Sequence, residues 1–290
     1  MKTPFLLRAA NLAAGKVFMK HIGCKVFMLT AVALVAPVQA QESVAADAAA
    51  EAAKKLANPV AAMISAPFQY NHDKLSGADA GATRNTLVLQ PVFPASLNDD
   101  WNLITRVVMP VIEQKGFASA ALNESGLSDT TASLFFSPKS PTAGGLIWGA
   151  GPAFLLPTAT QNVLGSEKWG LGPTAVALKQ FGPWSVGVLA NHIWSFAGSN
   201  NRSDVNATFL EPFLSYTTST HTTIGMNTES TYDWKGKQWS VPVNFQVGQV
   251  FKIGPQLIQL AVGARYWAVA PDNGPEGWGY RVQLTFLFPK

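Results

Sequence analysis

Seven charged residues lie inside runs in which large apolar side chains recur at every second position: Arg106, Lys179, Glu211, Glu229, Asp233, Arg265 and Arg281. In a β-strand successive side chains point to opposite faces. Placing Tyr280, Val282, Leu284, Phe286 and Phe288 on one face therefore puts Arg281 on the other. The same parity sets Arg265 opposite Ile258, Leu260, Val262 and Tyr266. It sets Asn227, Glu229 and Asp233 opposite Ile224, Met226, Tyr232 and Trp234. Arg106 and Lys179 fall opposite Leu103/Val107 and Val176/Leu178. Glu211 joins them if Leu210, Leu214 and Tyr216 form the oily face, although Phe209 and Phe213 leave that strand ambiguous. Cations and carboxylates gathered on one side of a sheet have two uses. They can brace a narrow interior with ion pairs, or form a polar constriction that selects what passes.

Other chemistries find less support. Asn191-His192 and Ser195 offer the residue types of a lipid hydrolase at a membrane surface. A serine nucleophile needs its base within hydrogen-bond reach, and a spacing of three puts His192 and Ser195 on opposite faces of a strand. Ser215 or Ser240 would have to supply the nucleophile from another strand. Asp272, Asn273 and Glu276 match no calcium-loop spacing. Gly149-Ala150-Gly151 precedes no helix and so makes no phosphate loop. The expectation is no enzyme, no cofactor and no metal, with the hydrolase kept as a minor alternative.

The elements that must position the charges are strands. Apolar-periodic runs alternate with turn-rich runs from about residue 61, giving twelve candidates: 61–73, 83–94, 101–112, 127–138, 145–157, 170–181, 184–196, 205–218, 221–234, 238–251, 256–269 and 277–288. Only 13% of residues are charged, against ~25% in globular proteins. No segment after the leader has the ~18 uninterrupted apolar residues of a membrane helix. Low charge without such helices fits strands whose outer faces meet lipid. The predicted fold is an all-β, antiparallel, up-and-down barrel of the outer membrane, with about twelve strands. Short connections alternate with longer ones, as in barrels with short periplasmic turns and long outer loops. An even strand number leaves both ends in the periplasm.

Tryptophans gather at the strand ends. Trp101, Trp148 and Trp184 mark the proposed periplasmic rim, and Trp169, Trp194, Trp234, Trp239, Trp267 and Trp278 the outer rim. Amphipathic rings suit a lipid–water boundary. Pro67, Pro91, Pro110, Pro152, Pro173, Pro212 and Pro242 fall inside proposed strands. Since proline cannot donate to a ladder, bulges or breaks are expected there.

Residues 1–40 read as a cleaved export signal. Lys25 ends a basic region, 26–36 is the apolar core, and Val38-Gln39-Ala40 supplies a cleavage site. Met19 would be an alternative start. Five of the 21 basic residues, Lys2, Arg8, Lys16, Lys20 and Lys25, lie before position 41, where there is no acid. The remainder has 16 basic against 17 acidic residues, a net charge of −1, so no nucleic-acid partner is implied. Cys24, the single cysteine, also lies in the leader, so disulfides and thiolate metal sites are excluded from the mature chain. Residues 41–58 are Ala-rich and end at Asn58-Pro59. They predict a short periplasmic helix or tail rather than a plug. Residues 59–290 would form the barrel.

Four stretches carry a family resemblance: Leu97–Val111 (LNDDWNLITRVVMPV), Gly151–Trp184, Asn227–Trp234 (NTESTYDW) and Gly263–Lys290. The chain resembles, over roughly residues 55–290, a bacterial outer-membrane family whose members are labelled as transporters, as MetA-pathway phenol-degradation proteins or, misleadingly, as neuromedin U. The resemblance implies a barrel that moves small, hydrophobic or aromatic solutes across a Gram-negative outer membrane, with lipid and the barrel-assembly machinery as partners. It brings no catalytic residues. A structural barrel or surface receptor without transport is the alternative. Many outer-membrane barrels end on an aromatic residue, whereas here Pro289 and Lys290 follow Phe288.

Overall fold

The computed structural model describes residues 48–272 and 274–288. The expected leader, Cys24, the cleavage site and the final Pro289-Lys290 lie outside the described residues. Twelve antiparallel strands form a closed barrel. They are β1 (Ile64–Leu75), β2 (Thr83–Leu89 and Val92–Ser96), β3 (Trp101–Lys115), β4 (Ser125–Leu127 and Thr130–Pro138), β5 (Leu146–Leu156) and β6 (Lys168–Phe181). There follow β7 (Trp184–Gly198), β8 (Asn206–Thr217), β9 (Thr222–Thr228 and Ser230–Asp233), β10 (Gln238–Ile253), β11 (Gln256–Val269) and β12 (Pro275–Phe288). Each strand pairs with its sequence neighbours, and β1 pairs with β12 from Ile64↔Phe288 onward, which closes the sheet. Closure leaves no unpaired strand edge.

Two hairpins show how sequence sets the turns. Gly182-Pro183 and Gly254-Pro255 are two-residue loops, with φ of +53° and +58° at the glycines. Primed hairpin turns need a positive φ at their first central residue, and glycine adopts it without penalty.

Parity is plain on β10 to β12. Phe245, Val247, Leu260, Val262, Tyr266, Trp278, Tyr280 and Val282 are exposed on the outside. Asn244, Val250, Ala261, Arg265, Arg281, Thr285 and Leu287 are buried on the inside. An apolar face this continuous is far from the surface of a water-soluble monomer.

The interior is not uniformly polar. Ile104, Phe135, Val176, Leu178 and Leu189 form a buried cluster with Val60, backed by Phe209 and Phe213. This corrects the expected face of Lys179. Val176 and Leu178 point inward, at 2% and 1% exposure, so Lys179 is on the outer face and exposed. It lies near the end of β6, where a long stem lets the ammonium reach the interface.

Among the described residues, one α-helix spans residues 48–56. Ala49, Ala52, Ala53 and Leu56 fall at the i, i+3, i+4, i+7 spacing of one helix face. That face packs on Met63 and on the inward side chains Val250, Leu257 and Leu287. Gln180 Nε2, next to the β6–β7 turn, donates to Lys54 O at 2.9 Å. The helix therefore packs into the short-turn mouth of the barrel, where the sequence predicts a short periplasmic helix or tail rather than a plug. Small alanine side chains let even a short helix fit against the inner wall. No described helix is long and apolar enough to cross a membrane, which says nothing of a barrel's strands.

Candidate functional site: the charged interior

The strand ladders loosen around one group of charges. β9 is interrupted at Glu229. Thr228 pairs with Val243 and Thr231 with Ser240, which sets Glu229 beside Pro242, a residue with no N–H to donate. β10 shifts register against β11 between Val241 and Pro242, and β1 shifts against β12 between His72 and Lys74. Such irregularities bend a strand and re-aim its side chains. Here they surround the inward residues Asp73, Glu229 and Arg265. Gly279, opposite Arg265 in the ladder, leaves the room: a Cβ there would lie 2.3 Å from the His72 carbonyl oxygen and 2.9 Å from Asp73 Oδ1.

Arg281 is 3% exposed. Its Nη2 donates to Glu229 Oε2 at 2.7 Å, and its Nε donates to Asn71 Oδ1 at 2.7 Å. Arg265 Nη1 lies 3.9 Å from the same Glu229 oxygen, and its Nε lies 3.5 Å from Asp73 Oδ1. The Arg265 guanidinium sits 4.6 Å from the centre of the Trp267 ring, and Trp267 Nε1 donates to Asp73 Oδ1 at 2.8 Å. Burying such charges costs several kcal/mol each unless pairing offsets it. The network supplies that pairing, with Glu229 shared by two arginines.

Trp267 is thus a correction to the expected aromatic girdle. It shares the inward parity of Arg265 and stacks on it, so it belongs to the interior. The other tryptophans line the outside. Trp101 packs edge-on to Trp148 at 5.8 Å, and Trp184 on Tyr216 at 4.9 Å, both at the short-turn end. Trp234 and Trp239 flank Tyr232, Trp194 covers His192, and Trp278 packs on Tyr266 at the long-loop end. Trp169, on the outer face of β6, is also exposed.

The remaining candidates divide. Arg106 and Glu211 face inward and line a cavity of about 230 Å³ together with Glu229 and Arg281. Arg106 Nη2 donates to Gln90 Oε1 at 2.7 Å, and Glu211 Oε1 accepts from Asn227 Nδ2 at 2.8 Å. The helix residues Ala53 and Leu56 close the cavity on one side. Asp233 stays apart. It is exposed at the end of β9, where its Oδ1 accepts from the Lys235 N–H in the turn. Asn71 and Asp73 are two interior residues that the sequence pattern did not single out, because β1 mixes His, Asp, Lys and Asn near its end. Their shared parity with Gln69, two and four residues earlier, was the available signal.

Hydrolase geometry is not formed at His192. Its Nδ1 is 2.7 Å from Thr208 Oγ1, which accepts from Trp234 Nε1 at 2.9 Å. Ser195 Oγ instead donates to Asp204 Oδ1 at 3.2 Å. No group of three metal-ligating side chains is present among the described residues.

Neither a protein-family model nor a curated protein matches the sequence. Solved structures do match. The COG4313 outer membrane channel from Pseudomonas putida F1 aligns with TM-score 0.60 and 16% identity, over 78% of this chain and 96% of that one. Outer membrane phospholipase A from Escherichia coli aligns with TM-score 0.44 and 9% identity, over 78% and 91%. The KdgM porin in complex with disordered oligogalacturonate aligns with TM-score 0.41 and 11% identity, over 78% and 99%. The first of these shares the fold of this chain: a closed antiparallel barrel of the outer-membrane type.

Proposed function

We propose that the protein is an outer-membrane channel through which small solutes move passively. The observation that carries this reading is the pairing of an apolar outer wall with an interior cavity lined by charges. Lipid solvates the first, and a polar solute or water solvates the second. The helix at residues 48–56 would face the periplasm, on the side of the short turns, and narrow the path. Hydrophobic or aromatic solutes, which the family resemblance implies, would pass along Met63, Leu189 and Phe213, which line the same cavity. Lipid and the barrel-assembly machinery would be its partners. The fold shared with a channel at TM-score 0.60 supports the reading.

A second reading has its own support. Arg281 and Arg265 are buried and share Glu229, and Arg265 also approaches the buried Asp73, as braces of a filled barrel would. Conductance of the refolded protein in planar bilayers separates the two. A channel gives discrete current steps that change in size in Arg265→Ala and Glu229→Ala. A structural barrel gives none.

A further inference from the structure

The cavity carries an anionic and a cationic side chain, each with hydrogen-bonding capacity left over. Glu211 on β8 receives one hydrogen bond, from Asn227, and has no ion-pair partner among the described residues. Asn227 on β9 spends its Nδ2 on that carboxylate, and Gln246 on β10 lines the same cavity. Asn227 pairs with Phe213 on β8, and Gly225 with Gln246 on β10. Glu211, Asn227 and Gln246 therefore stand on three adjacent strands and line one cavity. An ionised carboxylate accepts several hydrogen bonds, so Glu211 has sites left. A primary ammonium brings three N–H donors and the matching charge.

Arg106, on β3, lines the same cavity and has Gln90 as its hydrogen-bond partner. A guanidinium carries five N–H donors in a planar fork that fits a carboxylate. Met63, Leu189 and Phe213 supply apolar lining. The volume of about 230 Å³ exceeds the ~150 Å³ that admits benzene and is below the ~300–1,000 Å³ of drug-sized sites.

From this arrangement we infer that the cavity binds single small amino acids. The ammonium sits on Glu211, the carboxylate on Arg106, and an apolar or aromatic side chain against Leu189 and Phe213. This deepens the channel reading, on which it rests, by narrowing its solute class. Among the apolar and aromatic solutes of that reading it selects those that also carry an ammonium and a carboxylate, because these two groups pair with Glu211 and Arg106.

The test is equilibrium binding by titration calorimetry to the refolded, detergent-solubilised protein. Three ligands are compared: L-phenylalanine, 3-phenylpropanoate, which lacks the ammonium, and 2-phenylethylamine, which lacks the carboxylate. Phenylalanine should bind about tenfold or more tighter than either analogue, as in sites built to hydrogen-bond a group the analogue lacks. Glu211→Gln should weaken phenylalanine about tenfold while leaving 3-phenylpropanoate unchanged. Arg106→Gln should abolish the preference over 2-phenylethylamine. Lys179→Gln, on the outer face, should change nothing. Equal affinity for all three ligands, or no binding of any, overturns the inference, and the wild-type ranking decides even if a variant fails to fold. Bilayer conductance is measured in parallel. A barrel that conducts without discriminating removes the site and keeps the channel, and one that binds without conducting removes the channel alone.

Discussion

Arg281 Nη2 and Glu229 Oε2 are 2.7 Å apart across the barrel interior, although their strands, β12 and β9, are not neighbours in the sheet. Arg265, on β11, approaches the same oxygen. Two buried guanidinium groups thereby converge on the one carboxylate of Glu229.

Removing Glu229 leaves both arginines short of a counter-charge. Glu229→Ala should destabilise the barrel by about 3–5 kcal/mol, the range for one partner lost from a buried pair. The double variant Glu229→Ala/Arg281→Ala should lose less than the sum of the two single changes. Urea unfolding in lipid vesicles measures both.

Trp267 and Trp278 differ in face, so equal substitutions should have unequal effects. Trp267→Phe deletes the N–H that Asp73 accepts and weakens the ring beneath Arg265. A loss of about 1–2 kcal/mol is expected. Trp278→Phe, 63% exposed on the outer face, keeps its lipid-facing area and should lose less. The same unfolding assay ranks them.

The helix in the short-turn mouth rests on alanines. Ala53 is 1% exposed, and Ala53→Glu puts an uncompensated carboxylate against Met63 and Leu287, which is costly. The helix should leave the mouth and mean conductance should rise severalfold. Unchanged conductance would show that the helix does not restrict the path.

At the long-loop end, Lys168 Nζ lies 3.0 Å from Asp204 Oδ1. The Lys168 hydrogen bond and charge hold the Asp204 carboxyl below its ordinary value. A depressed carboxylate contributes stability that is fully present above the unfolded pKa of about 3.9 and is lost as pH falls through the lower folded value. Amide exchange in loop 199–205 should therefore stay slow down to about pH 4 and quicken below it. Asp204→Asn should remove that dependence.

Much of the architecture was legible in the sequence, because a membrane barrel repeats the same period-two pattern. All twelve strands lie where the alternation put them. Pro91 and Pro242 mark a break and a register shift, as residues without an N–H should, whereas Pro67, Pro110, Pro152, Pro173 and Pro212 lie within continuous strands, against the expectation of a bulge or break at each. Faces were harder. On β11 and β12 the oily and polar sides differ sharply, so the parity of Arg265 and Arg281 reads directly. On β6 both faces are apolar: Leu171 and Ala175 point outward while Val176 and Leu178 fill an inner cluster. Hydrophobicity alone does not separate lipid from core there, and Lys179 went to the wrong side. Trp267 failed for another reason, since nearness to a strand end outweighed its parity. The sharing of Glu229 by two strands on the far side of β10 is a three-dimensional fact that strand-by-strand reading does not contain.

The central claim is that solutes cross the barrel through the cavity beside Glu211. The single native cysteine, Cys24, precedes the proposed cleavage site, so an introduced thiol is unique in the mature chain. The most direct test is bilayer conductance of Gln246→Cys before and after a charged, water-soluble thiol reagent, with Phe245→Cys on the lipid face for comparison. Modification of the Gln246→Cys thiol should cut the current sharply, and the same treatment of Phe245→Cys should leave it unchanged. A fully modified Gln246→Cys channel that conducts as before would contradict the account.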